Sequence, residues 1–373
     1  MQLNQIKYQD AATQAYLGSP SILRLGNGDL LASHDYFGSG APRTPEGEWG
    51  LASIYRSSDN GLTWTEITHI MGLFWGNLFQ HHGAIYLLGV SQEYGSVVIR
   101  RSDSNGDMWT RPADSRTGLL FAGGKYRQNP NYHCAPMPVL GSNGRLYRAV
   151  EDCEDAKWGN GFKSCVISVD EDADLLCADN WTMSNKIICR QEWVPADWGE
   201  VPIRGWLEGN VVPAPCGELW NILRFNSAPA VDKAAIIKIH DEGRRISFDP
   251  ETGFIDFPGG MTKFTIRRCA TTGLYLTLSN NSTDPAYPNQ RNVLCLNASE
   301  DLLHWRHVKT LLEDDLPHSW EDSIKYTGFQ YVDWQFDGDD IIYMVRCAYD
   351  GAHNFHDANR MTFHKIEGYA GLL

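Results

Sequence analysis

The stretch that most limits what this chain can become is Ser57-Ser58-Asp59-Asn60-Gly61-Leu62-Thr63-Trp64, of the form S-x-D-x-G-x-T-W. Asp59 and Asn60 suit a tight turn, because short polar side chains bond to backbone two residues further on. Gly61 supplies the positive φ that closes a hairpin without a Cβ clash. Trp64 opens the next strand and can fold its ring back over the turn. Such a turn joins antiparallel strands, so small antiparallel sheets are the expected building units.

The pattern recurs in worn form. Ser102-Asp103-Ser104-Asn105-Gly106-Asp107-Met108-Trp109 keeps the Ser, Gly and Trp, with Ser104 where Asp is expected. Ala298 to Trp305 keeps the Trp and an acidic residue, Glu300, without the Gly. Ser168-Val169-Asp170 opens in the same way and reaches Trp181 only after an insertion. These stretches resemble the Asp-box, the hairpin signature of sialidase-like β-propellers. Asp-Gly hairpins of another all-β fold are the alternative.

A longer period runs beneath the motif. Apolar runs flank turn glycines at Gly28, Gly83, Gly144, Gly217, Gly273 and Gly338, 310 residues over five intervals, or 62 per unit. A third strand-like run follows each pair, and a fourth often starts at a Trp. The last unit lacks a fourth strand after Lys365, which Gln5-Ile6-Lys7-Tyr8 can supply. Closure of that kind leaves no long open sheet edge. The expectation is a single all-β propeller over residues 1–373, with six blades by count and room for a seventh in 113–131 or 183–205. No helical periodicity of any length appears.

With 13 Trp, 16 Tyr and 14 Phe there is ample material for a large core. The net charge of −14 argues against nucleic acid, since phosphate binding wants a basic face. It leaves room for an anionic sugar, because local Arg clusters can sit on an acidic protein. Nine Cys without a C-x-x-C pair, most within apolar runs, read as reduced core thiols and point to the cytoplasm. The polar start and the lack of any run of about 18 apolar residues give no membrane segment.

In a propeller the start of each innermost strand and the end of the second share one face around the axis. Strand starts then contribute Ser19, Trp75, Tyr132, His133, Trp206, Glu208, Lys263 and Gln330. Strand ends contribute His34, Asp35, Glu93, Arg148, Glu151, Asp152, Arg224 and Arg346. Rings, imidazoles, guanidinium groups and carboxylates in one mouth suit a sugar: aromatic rings stack on pyranose faces, and Arg grips carboxylates through two hydrogen bonds. Glu208 stands out, because its strand is otherwise apolar and would not tolerate an unpaired charge. His353-x-x-His356-Asp357 lies in a loop, which argues against a transition-metal site. No cofactor is required, and the axial channel leaves room for a structural Ca²⁺ or Na⁺.

Sialidases are expected to carry Arg in an R-I-P motif on the first inner strand; here Gly18-Ser19-Pro20-Ser21-Ile22 stands in its place. Other stretches resemble the rhamnose–glucuronate lyases that act on arabinogalactan side chains. They are Ser19-Pro20-Ser21, Ala32-Ser33-His34-Asp35, Gly205-Trp206-Leu207-Glu208-Gly209-Asn210, Phe257-Pro258-Gly259-Gly260, Gly328-Phe329-Gln330-Tyr331-Val332-Asp333 and His356-Asp357-Ala358-Asn359. That resemblance implies β-elimination on a small acidic oligosaccharide: a base removes the C5 proton of a glucuronate while the sugar on O4 departs. His34 or Tyr132 would serve as base or acid, with Arg148, Arg224, Arg267 or Arg346 holding the uronate. An exo-glycosidase would instead use a carboxylate pair, Glu208 with Asp35 or Asp152. A third reading is a non-catalytic propeller that binds glycans or proteins.

Overall fold

The computed structural model describes residues 1, 3–125 and 127–373. Six antiparallel sheets follow one another along these residues, each with four strands on its main path. They are the six blades of a β-propeller. The innermost strands run through Ser21–Arg24, Phe74–His81, Leu140–Ser142, Trp206–Pro213, Thr265–Arg268 and Gly328–Asp337. In blades 1 and 3 short upper segments, Tyr16–Leu17 and Tyr132–His133, complete the inner edge. Asn4–Tyr8 pairs antiparallel with Arg360–Ile366 and supplies the outer strand of blade 6, so the N-terminus closes the ring. The stretches 113–131 and 183–205 add short strands to blades 2 and 3 and form no seventh sheet among the described residues.

Burial explains why the second strands are apolar along both faces. All eight residues of Leu30–Phe37 and all seven of Ala84–Val90 are buried, because neighbouring blades cover both sides. Outer strands such as Arg306–Glu313 are mostly exposed and correspondingly charged. The six turn glycines all adopt positive φ, between 64° and 92°. One element departs from the sequence expectation: a short helix, Trp320–Tyr326, started by Ser319, whose side chain accepts from the Asp322 N–H.

The hairpin at Ser57–Trp64 is held as its residue types require. Asp59 Oδ1 accepts from Ser57 Oγ (2.7 Å) and from the Thr63 N–H (2.9 Å), and the Trp64 indole donates to the Gly61 carbonyl (3.1 Å). Ser104 takes the Asp role in the second copy, accepting from the Met108 N–H at 2.9 Å. The third copy corrects the sequence reading. Asp301, not Glu300, accepts from the Leu303 and His304 N–H groups, and Leu302 takes the glycine position with φ 70°. In the fourth stretch Ser168 bonds to the Glu242 carbonyl instead.

At the axis, side chains from one inner strand bond to the next. Asp333 of blade 6 accepts from Ser21 Oγ and the Ile22 N–H of blade 1, both at 2.9 Å. Ser21 Oγ in turn accepts from the Leu78 N–H of blade 2 (2.9 Å). Asn210 of blade 4 accepts from the Ile266 N–H of blade 5 (2.8 Å). These bonds pin the blades into one disc and fix the face on which the candidate site lies.

Candidate functional site

On the face formed by inner-strand starts, a cavity of about 190 Å³ opens near the axis. Its walls are largely aromatic: Phe37, Trp49, Phe74, Trp75, Tyr94 and Trp158. Its polar groups are Ser19, Asp35, Glu93, His133, Tyr331, Arg346 and His356. The volume admits one sugar ring rather than a chain.

A repeated backbone device aims three of the key side chains. The inner strands of blades 2, 4 and 6 each bulge, between Phe74 and Asn77, Leu207 and Asn210, and Gln330 and Asp333. The bulge residues Trp75, Glu208 and Tyr331 have φ of 52°, 58° and 56°. A left-handed conformation is costly for bulky residues, roughly 1–3 kcal/mol each, and such strain concentrates at functional sites. Bulges of this kind re-aim side chains.

Tyr331 and Glu208 meet across the axis. The phenol donates to Glu208 Oε1 at 2.6 Å, and Arg224 donates to Glu208 Oε2 (3.0 Å) and to the phenol oxygen (3.3 Å). Burial works to raise the Glu208 pKa, but Arg224, His133 and the Tyr331 hydroxyl together hold it below the usual value. Burial, then the Glu208 charge, pushes the Tyr331 phenol up, against the pull of Arg224, Arg291 and Arg346. Arg346 and Arg291 lie over the Tyr331 ring at 4.9 and 5.9 Å. Glu208 is therefore an ionised acceptor of the Tyr331 hydrogen bond, and Arg224, Arg291 and Arg346 offset part of the cost of a phenolate.

Asp35 lies in the cavity wall. Its Oδ1 accepts from the Ser19 N–H (2.8 Å) and its Oδ2 from the Trp75 N–H (2.7 Å). Burial nonetheless raises its pKa to about 6. Gly18 is required beside it, because a Cβ there would overlap the Asp35 carboxylate. On another wall, His133 Nδ1 pairs with the fully buried Glu151 at 2.8 Å. The His133 ring lies 4.2 Å from Trp75, edge to face. Arg346 is 4% exposed and donates to the His356 carbonyl (2.5 Å), while its Nε has no partner among the described residues.

The structure brings together Asp35, Trp75, His133 and Arg346 as cavity walls, with Glu208 and Arg224 directly behind Tyr331. It sends the other expected residues elsewhere. His34 and Tyr132 neighbour cavity residues, but adjacent strand residues point to opposite faces. His34 bonds to the Tyr55 hydroxyl (3.1 Å) inside blade 1, where burial lowers its pKa to about 4. Tyr132 packs in the core against Val90 and Val97, beside Phe121. Trp206 is buried against Phe225 and Phe248 and donates to the Ile187 carbonyl. Arg148 is spent on the Ala149 and Ala135 carbonyls.

Lys263 bonds to Thr265 Oγ1 (2.6 Å) and the Val332 carbonyl (2.5 Å), and burial lowers its pKa to about 7. Arg267 donates to the Trp334 carbonyl and lies 3.5 Å from Asp333. Gln330 accepts from Arg291 and donates to the Phe355 carbonyl, bracing the site without lining the cavity. His353 and His356 both pair with Asp357, at 3.0 and 2.8 Å.

Sequence reasoning passed over Tyr331 and Arg291 as site residues. A signal for Tyr331 existed: Trp75-Gly76-Asn77, Glu208-Gly209-Asn210 and Tyr331-Val332-Asp333 each place a bulge residue two before an axial Asn or Asp. Arg291 lies in the loop before Val293–Ser299, where strand counting does not reach.

Among solved structures, an α-L-arabinanase of Penicillium chrysogenum complexed with arabinobiose superposes with a TM-score of 0.58 at 15% identity, covering 98% of this chain and 97% of that one. The chain has the sialidase-like propeller fold. The Hadza microbial sialidase Hz136 gives a TM-score of 0.61 at 14% identity, over 97% of this chain and 68% of its own. The leech intramolecular trans-sialidase, complexed with 2,7-anhydro-Neu5Ac, gives 0.57 at 12% identity, over 98% and 70%. No protein-family model matches the chain, and no curated protein does. At these identities the likeness concerns the fold alone.

Proposed function

We propose that the protein is an exo-acting carbohydrate-active enzyme that cleaves a terminal sugar from an acidic oligosaccharide, with the acidic ring held in the cavity. The observation that carries this reading is the Tyr331–Glu208 hydrogen bond of 2.6 Å, built on two strained bulges and set among Arg224, Arg291 and Arg346. Tyrosine can act as a covalent nucleophile when a base takes its proton. In a retaining hydrolysis, Tyr331 Oη attacks the anomeric carbon as its proton passes to Glu208. Asp35, protonated, gives its proton to the departing oxygen; it then takes one from the water that attacks the anomeric carbon and breaks the bond to Tyr331, whose oxygen recovers its proton from Glu208. Arg346, which lines the cavity, holds the substrate carboxylate. Arabinobiose in the Penicillium relative and 2,7-anhydro-Neu5Ac in the leech enzyme are consistent with a small glycan on this scaffold.

Elimination is the second reading, and His133 favours it. Glu151 fixes its Nδ1, while its other ring nitrogen has no partner among the described residues, so it can act as a base toward C5 of a uronate beside Arg346. Incubation with a glucuronate-terminated disaccharide, the substrate for hydrolysis, and with rhamnosyl-glucuronate, the substrate for elimination, separates the two. A saturated product marks hydrolysis, whereas a rise in ultraviolet absorbance from a conjugated unsaturated uronate marks elimination. Binding without either product would leave only the non-catalytic reading.

A further inference from the structure

The cavity wall carries two carboxyl groups, Asp35 and Glu93, and they are engaged differently. Both oxygens of Asp35 accept backbone N–H groups, from Ser19 and Trp75. Glu93 is braced through one oxygen. Arg127 donates to its Oε2 (2.6 Å), while Oε1 has no partner among the described residues. The Arg127 guanidinium also donates to both oxygens of Glu48, at 2.7 and 2.9 Å, and lies over the Tyr94 ring at 5.2 Å. It is therefore anchored independently of Glu93. The Glu93 N–H donates to the Trp49 carbonyl (2.7 Å), so the backbone beneath the side chain is fixed as well.

An ionised carboxyl oxygen only accepts, so its partner in the cavity must bring an O–H or N–H. Burial raises the Glu93 pKa, and Arg127 offsets part of that rise. Arg346 lies in the second strand of blade 6, Asp340–Ala348, and Glu93 follows the second strand of blade 2, Ala84–Val90, with blade 1 between them. The cavity thus has a cationic side and an anionic side. A substrate carboxylate is drawn to the first and repelled by the second, which leaves the hydroxyl edge of the ring toward Glu93.

We propose that Glu93 is a specificity-determining residue, whose Oε1 accepts a hydrogen bond from a ring hydroxyl of the acidic sugar bound in the cavity. The inference rests on the cavity being the sugar site. A site built to bond a hydroxyl rejects the analogue that lacks it, because the acceptor is then shut off from water and left unpaired. Sugars deoxygenated at that one position are thereby excluded, although their carboxylate still suits Arg346.

The test is calorimetry on the full chain, with a methyl thioglucuronide, whose sulfur resists hydrolysis, and its monodeoxy analogues as probes. The parent protein should bind the thioglucuronide about tenfold more tightly than one of the analogues. Glu93→Ala should bring that ratio to about one without lowering the affinity for the analogue. Glu93→Gln, which keeps a neutral acceptor, should retain part of the ratio, and it decides the matter where a melting curve shows that Glu93→Ala does not fold. Equal affinity of the parent for all probes, or a ratio unchanged in the variants, overturns the inference. If Arg346→Ala then still weakens binding, the cavity reading stands without it. A thioglucuronide that the parent does not bind overturns both.

Discussion

The acid role proposed for Asp35 makes the pH dependence of activity the most exposed consequence of the site. Its carboxyl is buried, and its pKa stands at about 6 rather than the ordinary 3.8. Hydrolysis needs the protonated form. With a pKa of about 6, roughly nine-tenths of the enzyme is protonated at pH 5 and about one part in a hundred at pH 8. Glu208, held below its usual pKa, stays ionised across that range. The ratio kcat/KM should therefore fall about a hundredfold from pH 5 to pH 8, with the bend near 6.

Asp35→Asn should remove the bend and most of the activity. The amide keeps one acceptor for the Ser19 and Trp75 N–H groups where the carboxylate served both, so part of the loss is structural, and a melting curve measures that part. The same shift has a stability sign. A carboxyl whose folded pKa exceeds its unfolded one contributes stability that is complete below about pH 3.8 and lost as pH rises through about 6. The difference amounts to about 3 kcal/mol, and Asp35→Asn should lack that slope. Initial rates on a saturating and a dilute substrate series, with thermal melts at each pH, decide the matter. A kcat/KM that is flat or rises between pH 5 and 8 would refute the acid role and move the weight to His133 acting as a base.

Other consequences are checked more simply. Glu208→Gln removes the proton acceptor of Tyr331 and should lower kcat by about 10²–10³-fold with little change in KM, measured by steady-state kinetics. Arg346→Lys keeps the charge but loses the planar edge, and should raise KM for acidic substrates about tenfold while leaving neutral analogues unaffected. Asp333→Ala removes the acceptor for Ser21 Oγ and the Ile22 N–H and leaves Arg267 without its carboxylate. Denaturant unfolding should show a loss of about 3–5 kcal/mol.

Much of the fold was legible because turn chemistry is local. The Ser57–Trp64 hairpin, the six turn glycines and the closing strand at Asn4–Tyr8 are each specified by residues close together in sequence or by a missing partner. The site was half legible. Taking strand starts and ends as one face found Asp35, Trp75, His133, Glu208, Arg224 and Arg346, because register in a propeller is regular. It erred by one residue at His34 and Tyr132, where alternation turned the side chain into the blade. Tyr331 escaped because the strand start in blade 6 was taken one residue early, at Gln330. Arg291 escaped because loops follow no period. Leu302 shows the reverse case: a turn that keeps its geometry after its glycine has gone hides from a pattern search.

The central claim is that Tyr331, activated by Glu208, attacks the sugar. A slow-release fluorinated glycoside of the terminal acidic sugar, followed by intact-mass measurement and peptide mapping, tests it directly. The account predicts a single glycosyl adduct on the peptide bearing Tyr331, absent in Tyr331→Phe. An adduct on another residue, or turnover in Tyr331→Phe within tenfold of the parent enzyme, would contradict it.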